Sequence, residues 1–110
     1  MQFDQTRIYP YTLKIVDLAR EVIDKLPSGY SFLADQLKRS ATAIPLNFAE
    51  GCGKETKRDR RRFFVIARGS AYEVAAILDV GLRLGVISAG HREEGHRLCD
   101  SVAAMLTRFY

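Results

Sequence analysis

The chain of 110 residues is long enough for one domain with its own hydrophobic core and too short for two. Its hydrophobic content of 47% and charged content of 27% are typical of a folded protein and exclude a chain that is mainly disordered. No apolar run approaches the roughly 20 residues that cross a bilayer, and the first residues lack the order of a secretory signal. We therefore expect a cytoplasmic protein without a membrane partner.

The net charge of +4 is concentrated in one stretch of the chain. Residues 54–68, here called the basic segment, carry seven lysine and arginine residues against two acidic ones, a local charge of +5 that leaves −1 for the remainder. A concentrated cationic segment is typical of proteins that bind polyanions.

The first predicted helix has apolar residues at steps of three and four from Ile15 to Leu26, with charged residues on its other side. Pro10 suits its first turn. Pro27 ends it, because the residue before a proline is driven out of the helical conformation.

The second predicted helix begins near Ser31 and keeps an apolar face as far as Phe48. Pro45 interrupts this pattern, and because the period resumes after it we expect a kink rather than an end. Gly51 and Gly53 are expected to end the helix.

The third predicted helix begins at Thr56, which together with Asp59 resembles a capping box. Its apolar arc is wider than one bundle core requires, so we expect it to pack against its own bundle and against another subunit. The helical projection places Phe63, Ile66, Ala67, Ser70, Val74, Ile77 and Gly81 on one face, flanked by Phe64, Ala71, Ala75, Leu78 and Leu82.

The fourth predicted helix follows a glycine stop at Gly85 and is capped by Ser88. No alternating strand pattern competes with these helices. The predicted fold is therefore all-α, a single domain over residues 1–110 that forms an antiparallel up-down-up-down four-helix bundle. Cys52 and Cys99 have neither metal nor redox spacing and are expected to be reduced thiols, with Cys99 in the core.

The basic segment predicts a nucleic-acid interface at the start of the third helix. Most of its cations fall within roughly 100° of arc, if helical geometry extends back through the cap. Tyr72 continues that face, and guanidinium groups beside an aromatic ring are used for phosphate contact with base stacking. Lys57 and Arg58 lie in the first turn, where the helix dipole opposes cations by ~0.3–1 kcal/mol each. The predicted binding residues are Lys54, Lys57, Arg58, Arg61, Arg62, Arg68 and Tyr72. The alternative is a solvated charged face that neighbouring acids neutralise.

A second set of polar residues recurs at a spacing of three on helices two and three. The favoured interpretation is an interhelical hydrogen-bond network that fixes helix register and satisfies the carbonyl freed by Pro45; the alternative is a binding site. The predicted members are Gln36, Ser40, Asn47, Glu50, Ser70 and Glu73.

No enzymatic site is predicted. A di-iron bundle needs two Glu-x-x-His pairs, and Glu93 with His96 supplies only one. The glycines near Lys54 lack the spacing of a phosphate loop, and no strand precedes them. Both histidines lie on the polar start of helix four, so no catalytic residue, metal site or cofactor is expected.

One ordered set of residues resembles the signature of a known family. It consists of Gln36, Arg39, Ser40, Ala41, Ile44, Pro45, Asn47, Ala49, Glu50, Gly51, Gly69, Ser70 and Glu73. Over roughly residues 33–85 their order and spacing resemble those of the four-helix-bundle proteins encoded in intervening sequences of bacterial 23S ribosomal RNA genes. Phe48 and Cys52 are minor departures from that pattern.

The resemblance implies an antiparallel bundle often assembled as a homopentamer, with no established enzyme activity and a suspected role with nucleic acid. Related accessory proteins of diversity-generating retroelements work with a reverse transcriptase and its RNA. We therefore expect a non-enzymatic homo-oligomer that binds RNA through the basic segment. The alternative is a protein-interaction scaffold, or an accessory subunit that docks onto a partner enzyme such as a reverse transcriptase.

Overall fold

The computed structural model describes residues 1–110 and contains four long helices and no strand. Each helix packs against two others, α1 on α2 and α4, and α3 on α2 and α4, which closes a bundle of 44 × 22 × 20 Å. This confirms the predicted all-α four-helix fold. A short 3-10 turn at Phe3–Gln5 precedes α1 (Ile8–Asp24), α2 (Ser31–Cys52), α3 (Lys57–Arg83) and α4 (Ala89–Phe109).

One continuous core runs through the bundle and contains 21 buried residues. On α1 it is formed by residues such as Ile15 and Val22, and on α4 by residues such as Val102 and Leu106, as their spacing predicts. None of the helices combines the length and the apolar character needed to cross a membrane.

The helix ends follow local chemistry. Pro10 lies in the first turn of α1. Thr56 Oγ1 and Ser88 Oγ accept hydrogen bonds, each of 3.1 Å, from the backbone N–H groups three residues ahead. Gly85 adopts a left-handed φ of +78°, and the next N–H donates to the Gly81 carbonyl at 3.0 Å, which closes the end of α3. Pro45 is buried inside α2 and does not end it, as predicted.

Gly51 does not end α2, and this corrects the prediction from the sequence. The helix continues to Cys52, and Gly53 follows with an ordinary right-handed φ of −84°. Gly51 is buried, and a Cβ at its position would lie 2.6 Å from Cε1 of Phe64. Glycine is therefore required here for the close approach of α2 to α3 and not for a turn.

Only part of the wide apolar arc of α3 is buried. Ile66, on the projected face, and Leu82, beside it, are 41% and 37% exposed. An apolar arc this wide does not fix which part is buried, and α2 and α4 cover the part that contains Phe64, Ala71 and Leu78. The buried residues of α3 are Phe64, Ala67, Ala71, Val74, Ile77, Leu78 and Gly81.

Candidate nucleic-acid interface

The basic segment forms the α2–α3 connection and the first three turns of α3. The Thr56 cap starts this helix, so Lys57 and Arg58 occupy its first turn, where the N-terminal end of the dipole disfavours positive charge. Asp59 is the one acidic residue of that turn. The local arrangement therefore costs stability in the isolated chain, and a bound anion would offset that cost.

Most cations of this segment have no acidic partner. Lys54 Nζ lies 3.7 Å from a Glu50 carboxylate oxygen, an exposed pair four residues apart. No other cation of the segment has a carboxylate within 4.0 Å, and Glu55 and Asp59 form no ion pair. The prediction that neighbouring acids neutralise this face is thus not met within the chain. The six unpaired cations are Lys57, Arg58, Arg60, Arg61, Arg62 and Arg68.

Aromatic rings hold four of the cations. Lys54 Nζ and Arg62 Cζ lie 5.1 and 5.5 Å from the centroid of Phe63. Arg61 Cζ lies 5.2 Å from the Tyr110 centroid, beside the end of α4. Such contacts are worth ~0.5–1 kcal/mol at exposed sites and restrict the side chain without neutralising it.

The fourth of these pairs is Arg68 with Tyr72, one turn apart on α3. Arg68 Cζ lies 5.0 Å from the ring centroid, and Nη2 donates a hydrogen bond of 3.0 Å to the tyrosine hydroxyl. Arg68 Nε is shielded from solvent and has no acceptor. Tyr72 is 58% exposed.

Lys57, Arg58, Arg61 and Arg68 lie on α3 and keep the helical spacing of the projected stripe, but the helix does not extend back to Lys54. Lys54 lies before α3, outside helical geometry, and with Arg62 it surrounds Phe63, which packs against the end of α2 at Gly51. Arg61 contacts Tyr110, so it lies towards α4. Lys54 and Arg62 therefore widen the cationic surface beyond the stripe at the start of α3.

Three further arginines at this end were not among the predicted binding residues: Arg60, which belongs to the basic segment, and Arg7 and Arg108, which lie outside it. Arg60 Nε donates a hydrogen bond of 2.8 Å to the Lys54 carbonyl and so ties the connection to α3. Arg7 and Arg108 line a cavity of about 350 Å³ between the start of α1 and the end of α4. The antiparallel topology alone brings these two to the basic end, and no local sequence signal marks them.

Three phenylalanines join the helices beneath the cationic surface. Phe48 of α2, Phe64 of α3 and Phe109 of α4 have centroid distances of 5.1 to 5.6 Å. Phe48 and Phe64 are buried. The start of α3 therefore stands on a packed aromatic base, which fixes where its arginines emerge.

The predicted polar network is not formed within the chain, since none of its members bonds to another. Asn47 Nδ2 donates to the Ala43 carbonyl of its own helix at 2.8 Å, and Glu50 pairs with Lys54. Gln36 and Glu73 are exposed. Of the remaining two members, Ser40 is buried and Ser70 is half-buried.

Large apolar side chains remain exposed on α2 and α3. Leu46 is 66% exposed, Phe32 56% and Val80 49%. Val65 and Ile66 add to them on α3. α3 therefore has apolar surface left over after its core is packed, as its wide arc predicts.

A second polar cluster lies between α3 and α4. Arg92 Nε donates to Asp79 Oδ1 at 2.7 Å, and His96 Nε2 lies 2.9 Å from the same oxygen. The Arg92 hydrogen bond and His96 hold the pKa of Asp79 below its usual value. Burial raises the pKa of the Cys99 thiol, also on α4, to about 12. The Asp79 cluster is thus a polar tie between α3 and α4 in which the carboxylate engages both Arg92 and His96.

No group of three or more histidine, cysteine, aspartate or glutamate side chains lies close enough to hold a metal ion. Burial also raises the pKa of Cys52, against the opposing effect of Arg60. Both cysteines are free thiols.

Comparison with known proteins identifies a family whose model matches the chain and a solved structure with a similar fold. The model of the family described as 23S rRNA-intervening sequence protein matches residues 6–108. The bundle is similar to the crystal structure of a protein of unknown function from the S23 ribosomal protein family of Bacteroides thetaiotaomicron. That structure has a TM-score of 0.84 and 18% identity over 93% of this chain and 96% of the other. No curated protein matches the chain.

Proposed function

The chain belongs to the 23S rRNA-intervening sequence protein family, and on that premise we propose that it is a non-enzymatic, homo-oligomeric bundle that binds RNA through its basic segment. The observation that carries this proposal is the set of six cations without a carboxylate partner at the start of α3. Cations in the first turn of a helix reduce the stability of the fold because they oppose the helix dipole, and a bound anion would offset this loss.

The binding mechanism is phosphate neutralisation. Each lysine or arginine that contacts a phosphate releases condensed counterions, so affinity falls steeply with salt and depends little on sequence. Arginine suits this role because its planar guanidinium donates two parallel hydrogen bonds to phosphate oxygens. Five of the six unpaired cations are arginines.

The exposed apolar surface of α2 and α3 supports self-association. Leu46 and Val80 are 66% and 49% exposed, and contact with a second copy would remove this apolar surface from water. The resemblance to family proteins implies five copies. Assembly would repeat the basic segment in every subunit and multiply the phosphates neutralised per particle.

A non-enzymatic role is supported by the state of the polar side chains. His96 is engaged by Asp79, and Cys99 is buried with a raised pKa. Free thiols at Cys52 and Cys99 are typical of a reducing compartment, which supports the cytoplasm as the location.

A protein scaffold is the second candidate, favoured by the same exposed apolar surface together with the cations. In that function the bundle docks onto an acidic partner protein, such as an enzyme that itself handles RNA. A pull-down with and without nuclease distinguishes the two, since a partner held through RNA is lost on nuclease treatment and a directly bound one is retained.

The decisive experiment measures fluorescence anisotropy of a structured RNA at a low and a high salt concentration. The wild type should bind more weakly at high salt, and Arg58→Gln with Arg62→Gln should reduce both affinity and the salt slope, the latter by about 2 units for two lost phosphate contacts. The matched control is Arg20→Gln with Lys25→Gln, which removes two exposed cations near the end of α1. Weak binding without a salt slope, or an equal effect of the control, would contradict the proposal.

A further inference from the structure

The aromatic rings near the basic segment are already occupied by cations. Phe63 has both Lys54 and Arg62 within 5.5 Å of its centroid, and Tyr110 has Arg61 at 5.2 Å. A nucleobase stacks only on a ring face that is free. Both rings are also half-buried, so little of either remains open to the unstacked bases of a single strand.

Tyr72 is the most exposed of these rings and holds its cation by two contacts. The Arg68 guanidinium lies 5.0 Å from the ring centroid and also donates to the hydroxyl at 3.0 Å. The Nε of Arg68 is also shielded from solvent. The two contacts with Tyr72 together with this burial restrict the rotation of the guanidinium group. A guanidinium fixed in this way loses less conformational entropy when it binds a phosphate.

Resting on the proposed function, we propose that the ligand is the phosphate backbone of double-stranded RNA and that Tyr72 is a positioning residue for Arg68, not a base platform. Duplex RNA is recognised largely through backbone phosphates and shape, which needs placed cations and no free ring. On α3 the residues from Lys57 to Arg68 rise about 16 Å along the axis, a length over which a duplex presents phosphates from two strands.

The test is a double-mutant cycle on Arg68 and Tyr72, read with two probes. The probes are a blunt RNA duplex and a single strand with the same number of phosphates, and the measurement is Kd by fluorescence anisotropy. The wild type should bind the duplex more tightly. Tyr72→Leu should weaken duplex binding by about two- to five-fold, the size of a lost cation–aromatic contact. In an Arg68→Ala background, Tyr72→Leu should have no further effect.

Base stacking gives a different pattern. If Tyr72 stacks on a base, Tyr72→Leu weakens single-strand binding by about ten-fold or more, and does so equally without Arg68, which overturns the inference. Tyr72→Phe keeps the ring and should fall between wild type and Tyr72→Leu on the duplex. Tyr30→Leu, at a half-buried tyrosine just before α2, is the matched control and should change neither Kd.

The two proposals fail in distinguishable ways. If the wild type binds neither probe in a salt-dependent manner, the proposed function is wrong and this inference falls with it. If binding is salt-dependent but favours the single strand, or if the cycle is additive, RNA binding stands and only the duplex assignment and the role of Tyr72 are wrong.

Discussion

Replacing Gly51 with alanine tests whether direct packing closes the α2–α3 turn beneath the cationic surface. A Cβ here would lie 2.6 and 2.9 Å from two ring atoms of Phe64 and 3.1 Å from Cβ of Phe63. The Phe64 ring cannot easily turn away, because its centroid lies 5.6 Å from that of Phe48 and 5.1 Å from that of Phe109. α3 must therefore move away from α2.

The magnitude follows from two opposing effects. Overpacking a filled core costs about 1–3 kcal/mol, while alanine regains about 1 kcal/mol of helix propensity over glycine. We expect Gly51→Ala to lower the free energy of unfolding by about 1 kcal/mol and the melting temperature by roughly 5 °C. Urea unfolding followed by far-UV circular dichroism measures the first quantity, and a thermal scan measures the second.

Gly69→Ala is the matched control, since nothing lies within 4 Å of a Cβ at that position inside α3. It should raise the free energy of unfolding by up to about 1 kcal/mol through helix propensity alone. Both variants are compared with the wild type at one protein concentration, because self-association contributes to apparent stability. If Gly51→Ala is as stable as the wild type, or if both alanines shift stability in the same direction, the close-packing argument is refuted.

Three further predictions concern the helix ties, the thiols and the cap of α3. Asp79→Asn should lower the free energy of unfolding by about 1 kcal/mol, a value reduced by the exposure of the pair. The pKa of Asp79 lies below 3.8 in the folded state, so the wild type loses this stability as the pH falls from 3.8 towards that lower pKa. If the wild type and Asp79→Asn unfold with the same dependence on acid pH, this explanation is wrong. Ellman's reagent should react with Cys99 only on unfolding and with half-buried Cys52 sooner, and equal rates would contradict the burial argument. The pKa of Cys99 is 9.0 for a free thiol and about 12 in the folded protein. The free energy of unfolding should therefore decrease as the pH rises from 9 to 12, because only the unfolded thiol ionises there. Thr56→Ala should cost about 1 kcal/mol in urea unfolding, whereas Thr56→Ser should retain the cap; equal loss in both would exclude the hydroxyl as its source.

The sequence predicts the helices well because their ends depend on neighbouring residues. Thr56, Ser88 and Gly85 each act on backbone groups within a few positions, and the structure confirms all three. The part of the α3 apolar arc that is buried, and the role of Gly51, depend on how closely the neighbouring helices approach. Periodicity alone contains no information about that approach.

The sequence predicts the charge of the candidate site but not the contacts that its side chains make. The seven cations of the basic segment are evident, but the ring of Tyr110 reaches Arg61 only because α4 returns to the start of α3. Arg7 and Arg108 meet at the same end for the same reason. The polar set on α2 and α3 fails as a network because a spacing of three does not decide whether residues such as Glu73 face inward or outward.

The three phenylalanines beneath the arginines also bear on the order in which the helices pack during synthesis. Helical bundles whose neighbours in sequence pack together fold on the microsecond to millisecond scale, much faster than translation. Since α2 and α3 precede α4 in the chain, we expect Phe48 and Phe64 to meet before Phe109 packs against them. The packing of α4 fills that space, so we expect the cationic end to acquire its final shape only after α4 has joined the bundle.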